Sequence, residues 1–132
     1  MILIIGGAFQ GKRAFAEQYM GQTGAGETIW CDGQTAQWEE YCAAAWKMSL
    51  PYMVKRRMKL EGDAFSGNQF VSDLCRRTDG QVIVSEEIGS GIVPMDPFAR
   101  AWREETGRIL CKLAAQADEV WRVVGGIGQR IK

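Results

Sequence analysis

Residues 1–13, MILIIGGAFQGKR, decide how the rest of the chain is read. Met1 to Ile5 are apolar and mostly β-branched, the composition of a buried strand. They run into Gly6-Gly7, and Gly11-Lys12 follow just before a helical pattern opens. Strand, glycine loop and helix in this order form the G-x-x-x-x-G-K arrangement of a phosphate-binding loop, with Gly6 as its first glycine. The candidate ligand-binding residues are Gly6, Gly7, Ala8, Gly11, Lys12 and Arg13. The glycines let backbone N–H groups turn inward around an anion. The helix N-terminus adds partial positive charge, and Lys12 brings a mobile ammonium to the outer phosphates. After the lysine the pattern wants Ser or Thr, whose hydroxyl is a Mg²⁺ ligand. Arg13 stands there instead, and a guanidinium has no lone pair to offer a metal. A tight glycine turn that binds nothing is the competing reading of the loop.

Outward from this stretch, apolar patterns of two kinds alternate. Phe15, Ala16, Tyr19 and Met20 recur at helical spacing until Gly21 and Gly24, giving a first helix over about residues 11–22. A loop over Thr23–Glu27 leads to a strand at Thr28–Cys31, with Asp32 at its C-terminal end. Trp38, Tyr41, Cys42, Ala45, Trp46 and Ser49 then fit a single helix with an aromatic core face, ended by Pro51. Lys55, Arg56, Arg57 and Lys59 form a basic cluster, read as a solvated face against the alternative of a phosphate or partner site. Gly62, Ser66 and Gly67 suggest a mobile loop. Phe70, Val71, Leu74 and Cys75 define another helix, closed by Gly80.

A third strand, Gln81–Ser85, runs into Glu86-Glu87 and the segment Ile88-Gly89-Ser90-Gly91-Ile92-Val93-Pro94. Acids at a strand end before a glycine loop belong at the ligand-facing edge of a doubly wound sheet, although, taken alone, solvent-facing acids in an ordinary turn are the better reading. Asp96-Pro97 supplies an N-cap and a first-turn proline. A long helix follows with Ala99, Trp102, Thr106, Ile109, Leu110, Leu113 and Ala117 facing inward. Glu119–Val124 is the last main strand, and Gln129–Lys132 forms a short strand that pairs back on it. Strands alternating with helices give an α/β class: a P-loop NTPase-like three-layer sandwich, a mainly parallel sheet with helices on both faces.

The length of 132 residues suits one nucleotide-binding domain spanning 1–132. Sixteen basic and 16 acidic residues cancel, which argues against nucleic acid or a membrane surface as partner. No apolar run approaches the roughly eighteen residues of a membrane helix. The apolar N-terminus lacks the basic region of a signal peptide, so a cytoplasmic location is expected. Cys31, Cys42, Cys75 and Cys111 form no C-x-x-C pair and read as reduced, buried thiols. The chain has no histidine, which removes histidine bases, histidine metal sites and covalent histidine intermediates.

The order GGA-x-x-GK-x-x-FAE, SEEIGSGIVP, AR-x-WR-x-x-x-GR and LAAQADEVWRVVGGI resembles the bifunctional adenosylcobinamide kinase/adenosylcobinamide-phosphate guanylyltransferase family. The likeness covers residues 1–17 and roughly 82–132. It implies a P-loop protein of cobalamin assembly that phosphorylates a corrinoid alcohol and then attaches GMP through a covalent histidine. The middle of the chain departs from that pattern. Ile29 to Thr35 is similar to a later family strand ending in Asp-x-x-Thr, so the histidine-bearing guanylyl section is deleted in the simplest alignment. The resemblance therefore implies loss of guanylyl transfer. It makes Lys12, Asp32 and Glu87 the catalytic set, with Asp32 supporting Mg²⁺ and Glu87 acting as a base or metal-support residue. ATP or GTP with Mg²⁺ is the implied cofactor, a corrinoid the implied acceptor, and a small homo-oligomer the implied assembly. Two functions stay open: a kinase-type phosphotransferase, or a catalytically inactive binding, regulatory or partner-subunit protein on the same scaffold. A nucleic-acid site on Lys55–Lys59 is a third and weaker reading.

Overall fold

The computed structural model describes residues 1–22, 28–77, 79–89 and 91–132; the expected Thr23–Glu27 loop and Ser90 lie outside the described residues. The described strands form one sheet in the order β2-β3-β4-β1-β5-β6. Strand β1 (Ile2–Gly6) lies inside it, flanked in parallel by β4 (Val82–Glu86) and β5 (Glu119–Val124). Strands β2 (Trp30–Asp32) and β3 (Trp46–Met48) extend the parallel set on one side. Strand β6 (Ile127–Arg130) adds antiparallel to β5 on the other. The α/β sandwich with a mainly parallel sheet is thus the observed fold.

Alternation along the inner strands builds two cores. Leu3, Ile83 and Val120 face one way and pack with residues of α3 (Leu50–Glu61), α4 (Gly67–Leu74) and α5 (Pro97–Gln116). Ile4, Val82, Val84 and Val123 face the other way, where Ala16 of α1 (Lys12–Gln22) meets them. A period of two on strands buried on both faces produces this division. Helix α5 begins as its sequence indicates: the Asp96 carboxylate accepts from Ala99 N–H at 3.0 Å and Pro97 opens the first turn.

Four expectations are corrected. The single helix expected through Ser49 stops at Ala43 as α2 (Trp38–Ala43), and Ala44 turns extended. Trp46, Lys47 and Met48 instead form β3, hydrogen-bonded between β2 and β4. Tyr41 still enters the core, where its hydroxyl donates to the Met48 carbonyl at 3.1 Å. Helical spacing was satisfied by chance, because pairing with two neighbouring strands outweighs local propensity.

Second, Pro51 opens α3 rather than ending a helix, because a first-turn position needs no N–H. Third, the expected loop at 62–67 is a 3₁₀ turn, Gly62–Ala64, followed by Ser66 as the N-cap of α4, its hydroxyl accepting from Gln69 N–H at 3.2 Å. Fourth, the cysteines are free but not uniformly buried: Cys31, Cys42 and Cys75 are half-buried, and Cys111 is exposed on the outer face of α5. Smaller shifts move the terminal strand to Ile127–Arg130 and β2 to Trp30–Asp32. No helix among the described residues is long and apolar enough to cross a membrane.

Candidate phosphate-binding site

The loop between β1 and α1 is shaped by close contacts that only glycine allows. A Cβ on Gly6 would lie 2.5 Å from the Val123 carbonyl oxygen. Gly11 sits at φ +82, in the left-handed region, with the Gly126 Cα 3.1 Å from where a Cβ would be. Phe9 also takes a positive φ of 57 and projects its ring wholly into solvent. Gln10 ties the loop to the β5–β6 turn: its carbonyl accepts from Gly126 N–H at 2.8 Å and its side-chain oxygen from Gly125 N–H at 2.7 Å.

The consequence is a run of unengaged donors. Among the described residues, no N–H from Ala8 through Ala14 donates to another protein group. Mixed left- and right-handed backbone with free N–H groups is an anion nest, and the first turn of α1 adds its dipole. Lys12 is only 6% exposed, and its ammonium donates to the Gly7 carbonyl at 2.6 Å. Burial lowers its pKa, while the carboxylates of Glu86 and Glu87 act in the opposite direction.

Beside the loop lies a cavity of about 470 Å³ whose walls include Gln10, Lys12, Arg13, Met48, Ser49 and Glu86. Glu86 pairs with Gly6 across β4 and β1, and its Oε2 is buried without a hydrogen-bond partner. Glu87 stands apart from the cavity walls. Its N–H donates to the Gly6 carbonyl at 2.9 Å, and its carboxylate lies 3.7 Å from the Arg122 guanidinium. Asp32 is also not among the cavity walls, although it pairs across the sheet with Met48, which is one of them. It ends β2, with β3 and β4 between it and β1, and its carboxylate accepts from Gln34 N–H at 2.9 Å. Met48 and Ser49, at the end of β3, occupy the wall where the sequence reading expected an acid. Arg13 borders the cavity, but its guanidinium pairs with Glu17 at 3.2 Å and lies 5.7 Å from the Trp30 ring centroid.

Glu86 and Ser49 are the residues that sequence reasoning missed. For Glu86 a signal existed: Val84 and Glu86 share parity on β4, and both border the cavity. For Ser49 there was none, because its strand had been read as helix. As oxygen donors, the carboxylate of Glu86 and the hydroxyl of Ser49 suit a hard cation. Among the described residues no group of three or more His, Cys, Asp or Glu could hold a metal alone. The donor set therefore fits a cation whose remaining ligands are phosphate oxygens and water.

A family model for cobinamide kinase / cobinamide phosphate guanyltransferase matches residues 52–131. The bifunctional adenosylcobalamin biosynthesis protein CobU of Salmonella typhimurium is 48% identical over 65 residues, 48% of this chain and 36% of that protein. The protein of the same name from Escherichia coli is 49% identical over 59 residues, 44% of this chain and 33% of that protein. The aligned stretch thus spans about a third of these curated relatives. The family match begins within α3, so the phosphate loop is argued from its own geometry. With more than half of its length matched, the chain belongs to the cobinamide kinase / cobinamide phosphate guanyltransferase family.

Proposed function

We propose that this protein binds a nucleoside triphosphate with its phosphates on the Gly6–Lys12 loop, and that it keeps the phosphoryl-transfer half of the family's chemistry, directed at a corrinoid alcohol. The observation that carries this reading is the run of unengaged N–H groups from Ala8 to Ala14 beside the Lys12 ammonium. Lys12 leaves the Gly7 carbonyl for a phosphate oxygen, a stronger acceptor. Mg²⁺, when bound with the nucleotide, neutralises charge on the β- and γ-phosphates. Glu87 is a positioning residue here, since its N–H holds the end of β1 and Arg122 steadies its carboxylate. Asp32 is not among the cavity walls, although it pairs across the sheet with Met48, which is. The absence of histidine from this sequence supports a reading without guanylyl transfer through a histidine.

Calorimetric titration with ATP and GTP, with and without Mg²⁺, tests the reading. One equivalent of nucleotide should bind, and Lys12→Ala should weaken it at least about tenfold, since a charge-assisted hydrogen bond contributes roughly 1.5–3 kcal/mol. Absent binding, or unchanged affinity in a folded Lys12→Ala protein, refutes it. A second reading, a catalytically silent nucleotide binder, is favoured by Arg13, which fills the hydroxyl position and is engaged with Glu17 and Trp30. Nucleotide binding without any phosphorylated cobinamide product would select that reading.

A further inference from the structure

We infer that this chain holds its divalent cation from the ends of β3 and β4, through the Ser49 hydroxyl and the Glu86 carboxylate, instead of from the first turn of α1. The inference rests on nucleotide binding as proposed above, because phosphate oxygens complete the ligand set.

Three observations meet at one wall of the cavity. Glu86 keeps an oxygen buried and unpartnered there, a state that is costly unless something arrives to satisfy it. Ser49 is only 7% exposed and takes a left-handed backbone, φ 58 and ψ 40, although it is not glycine. Such a conformation costs on the order of 1 kcal/mol and gathers at ligand sites. Ser49 also occupies the N-cap of α3, where a serine hydroxyl ordinarily accepts from the helix. It makes no such bond. Its carbonyl accepts from Tyr52 and Met53 N–H at 3.1 and 3.3 Å, the hydroxyl has no hydrogen-bond partner among the described residues, and Ser49 is one of the residues lining the cavity.

The usual donors are removed by the same sequence. Arg13 has no lone pair, and Asp32, which accepts from Gln34 N–H, is not among the cavity walls. β3 and β4 are parallel neighbours, so their C-terminal ends present Ser49 and Glu86 on the same side of the sheet as the phosphate loop. One carboxylate and one hydroxyl, completed by phosphate and water oxygens, is a donor set for a small, hard, octahedral cation.

The test uses the non-hydrolysable analogue AMP-PNP, titrated calorimetrically with and without Mg²⁺, and Mn²⁺ followed by electron paramagnetic resonance. Mg²⁺ should tighten AMP-PNP roughly tenfold in the wild type. Glu86→Gln should abolish the tightening while leaving metal-free affinity equal or higher, because a carboxylate repelling the triphosphate is gone. Ser49→Gly suits φ 58 better than serine does, so thermal stability should hold or rise while Mn²⁺ held with the analogue weakens about threefold or more. Tightening that survives in both variants overturns the inference. Metal-indifferent binding of AMP-PNP by the wild type overturns it and leaves the nucleotide reading standing. No binding under either condition removes both.

Discussion

Lys47 offers a sharp test of the sheet arrangement. It is fully buried on β3 and donates to the Ala44 carbonyl and, at 2.5 Å, to the Gln81 side-chain oxygen. Burial is the main force that pulls its pKa from 10.5 to about 8. Below about pH 8 the folded protein carries a desolvated ammonium. Between about 8 and 10.5 the unfolded chain binds more protons than the folded one, so stability rises with pH through that window. The contribution is complete above 10.5 and gone below about 8; at 1.36 kcal/mol per unit it amounts to roughly 3 kcal/mol.

Other groups titrate in the same range with opposite sign. Burial raises the Cys42 thiol from 9.0 to about 11, which costs stability as pH climbs between those values. Comparison of Lys47→Met with the wild-type lysine in a shared Cys42→Ala background removes that term, because Cys42 and Lys47 act on each other's titration. Urea unfolding followed by tryptophan fluorescence at pH 7, 8, 9 and 10 should show the wild type gaining on the variant by up to about 1.4 kcal/mol per pH unit above pH 8. Absolute stability at pH 7 is not diagnostic, because the variant also strands two acceptors at about 1–3 kcal/mol each. Parallel pH curves for the two proteins would refute the buried charge, and with it the placement of β3 inside the sheet.

Arg103 on α5 donates to the carbonyls of Gly89, Gly91 and Ile92, stapling the segment that exposes Ile92, Val93 and Met95. Arg103→Ala should speed thermolysin cleavage in that segment several-fold, with global stability changed by about 1 kcal/mol or less; an unchanged cleavage rate counts against the staple. A Cβ on Gly128 would fall 2.2 Å from the Phe15 ring, which is already stacked with Tyr19 and in contact with Trp121. Gly128→Ala should therefore lower unfolding free energy by about 1–3 kcal/mol, and a wild-type melting temperature would show that the ring yields freely.

Much of the architecture was legible because long patterns repeat. β1 with its loop, β4, α5 with its Asp96-Pro97 start, and β5 each carry enough residues for period and punctuation to agree. β3 was illegible for a physical reason. It has three residues, one of them a lysine, and its flanks continue a helical spacing, so nothing local announces a strand. That one error propagated. With Trp46–Met48 taken as helix, Ser49 is invisible as a wall of the cavity, whereas the role of Asp32 follows from the family resemblance and not from this error. Glu86 and Glu87 show a different limit: Glu86 shares parity with Val84 on β4 and Glu87 follows the strand, but parity identifies Glu86 only once the structure shows that the Val84 face borders the cavity.

The grip of Gln10 on Gly125 and Gly126 carries a consequence for biosynthesis. The anion cradle is encoded in the opening residues, yet its geometry is latched by a hairpin encoded more than a hundred positions later. A nascent chain stalled before that hairpin emerges from the ribosome would have the amino acids of the cradle without its shape. Competence to capture phosphate thus arrives as a late event in the maturation of the polypeptide.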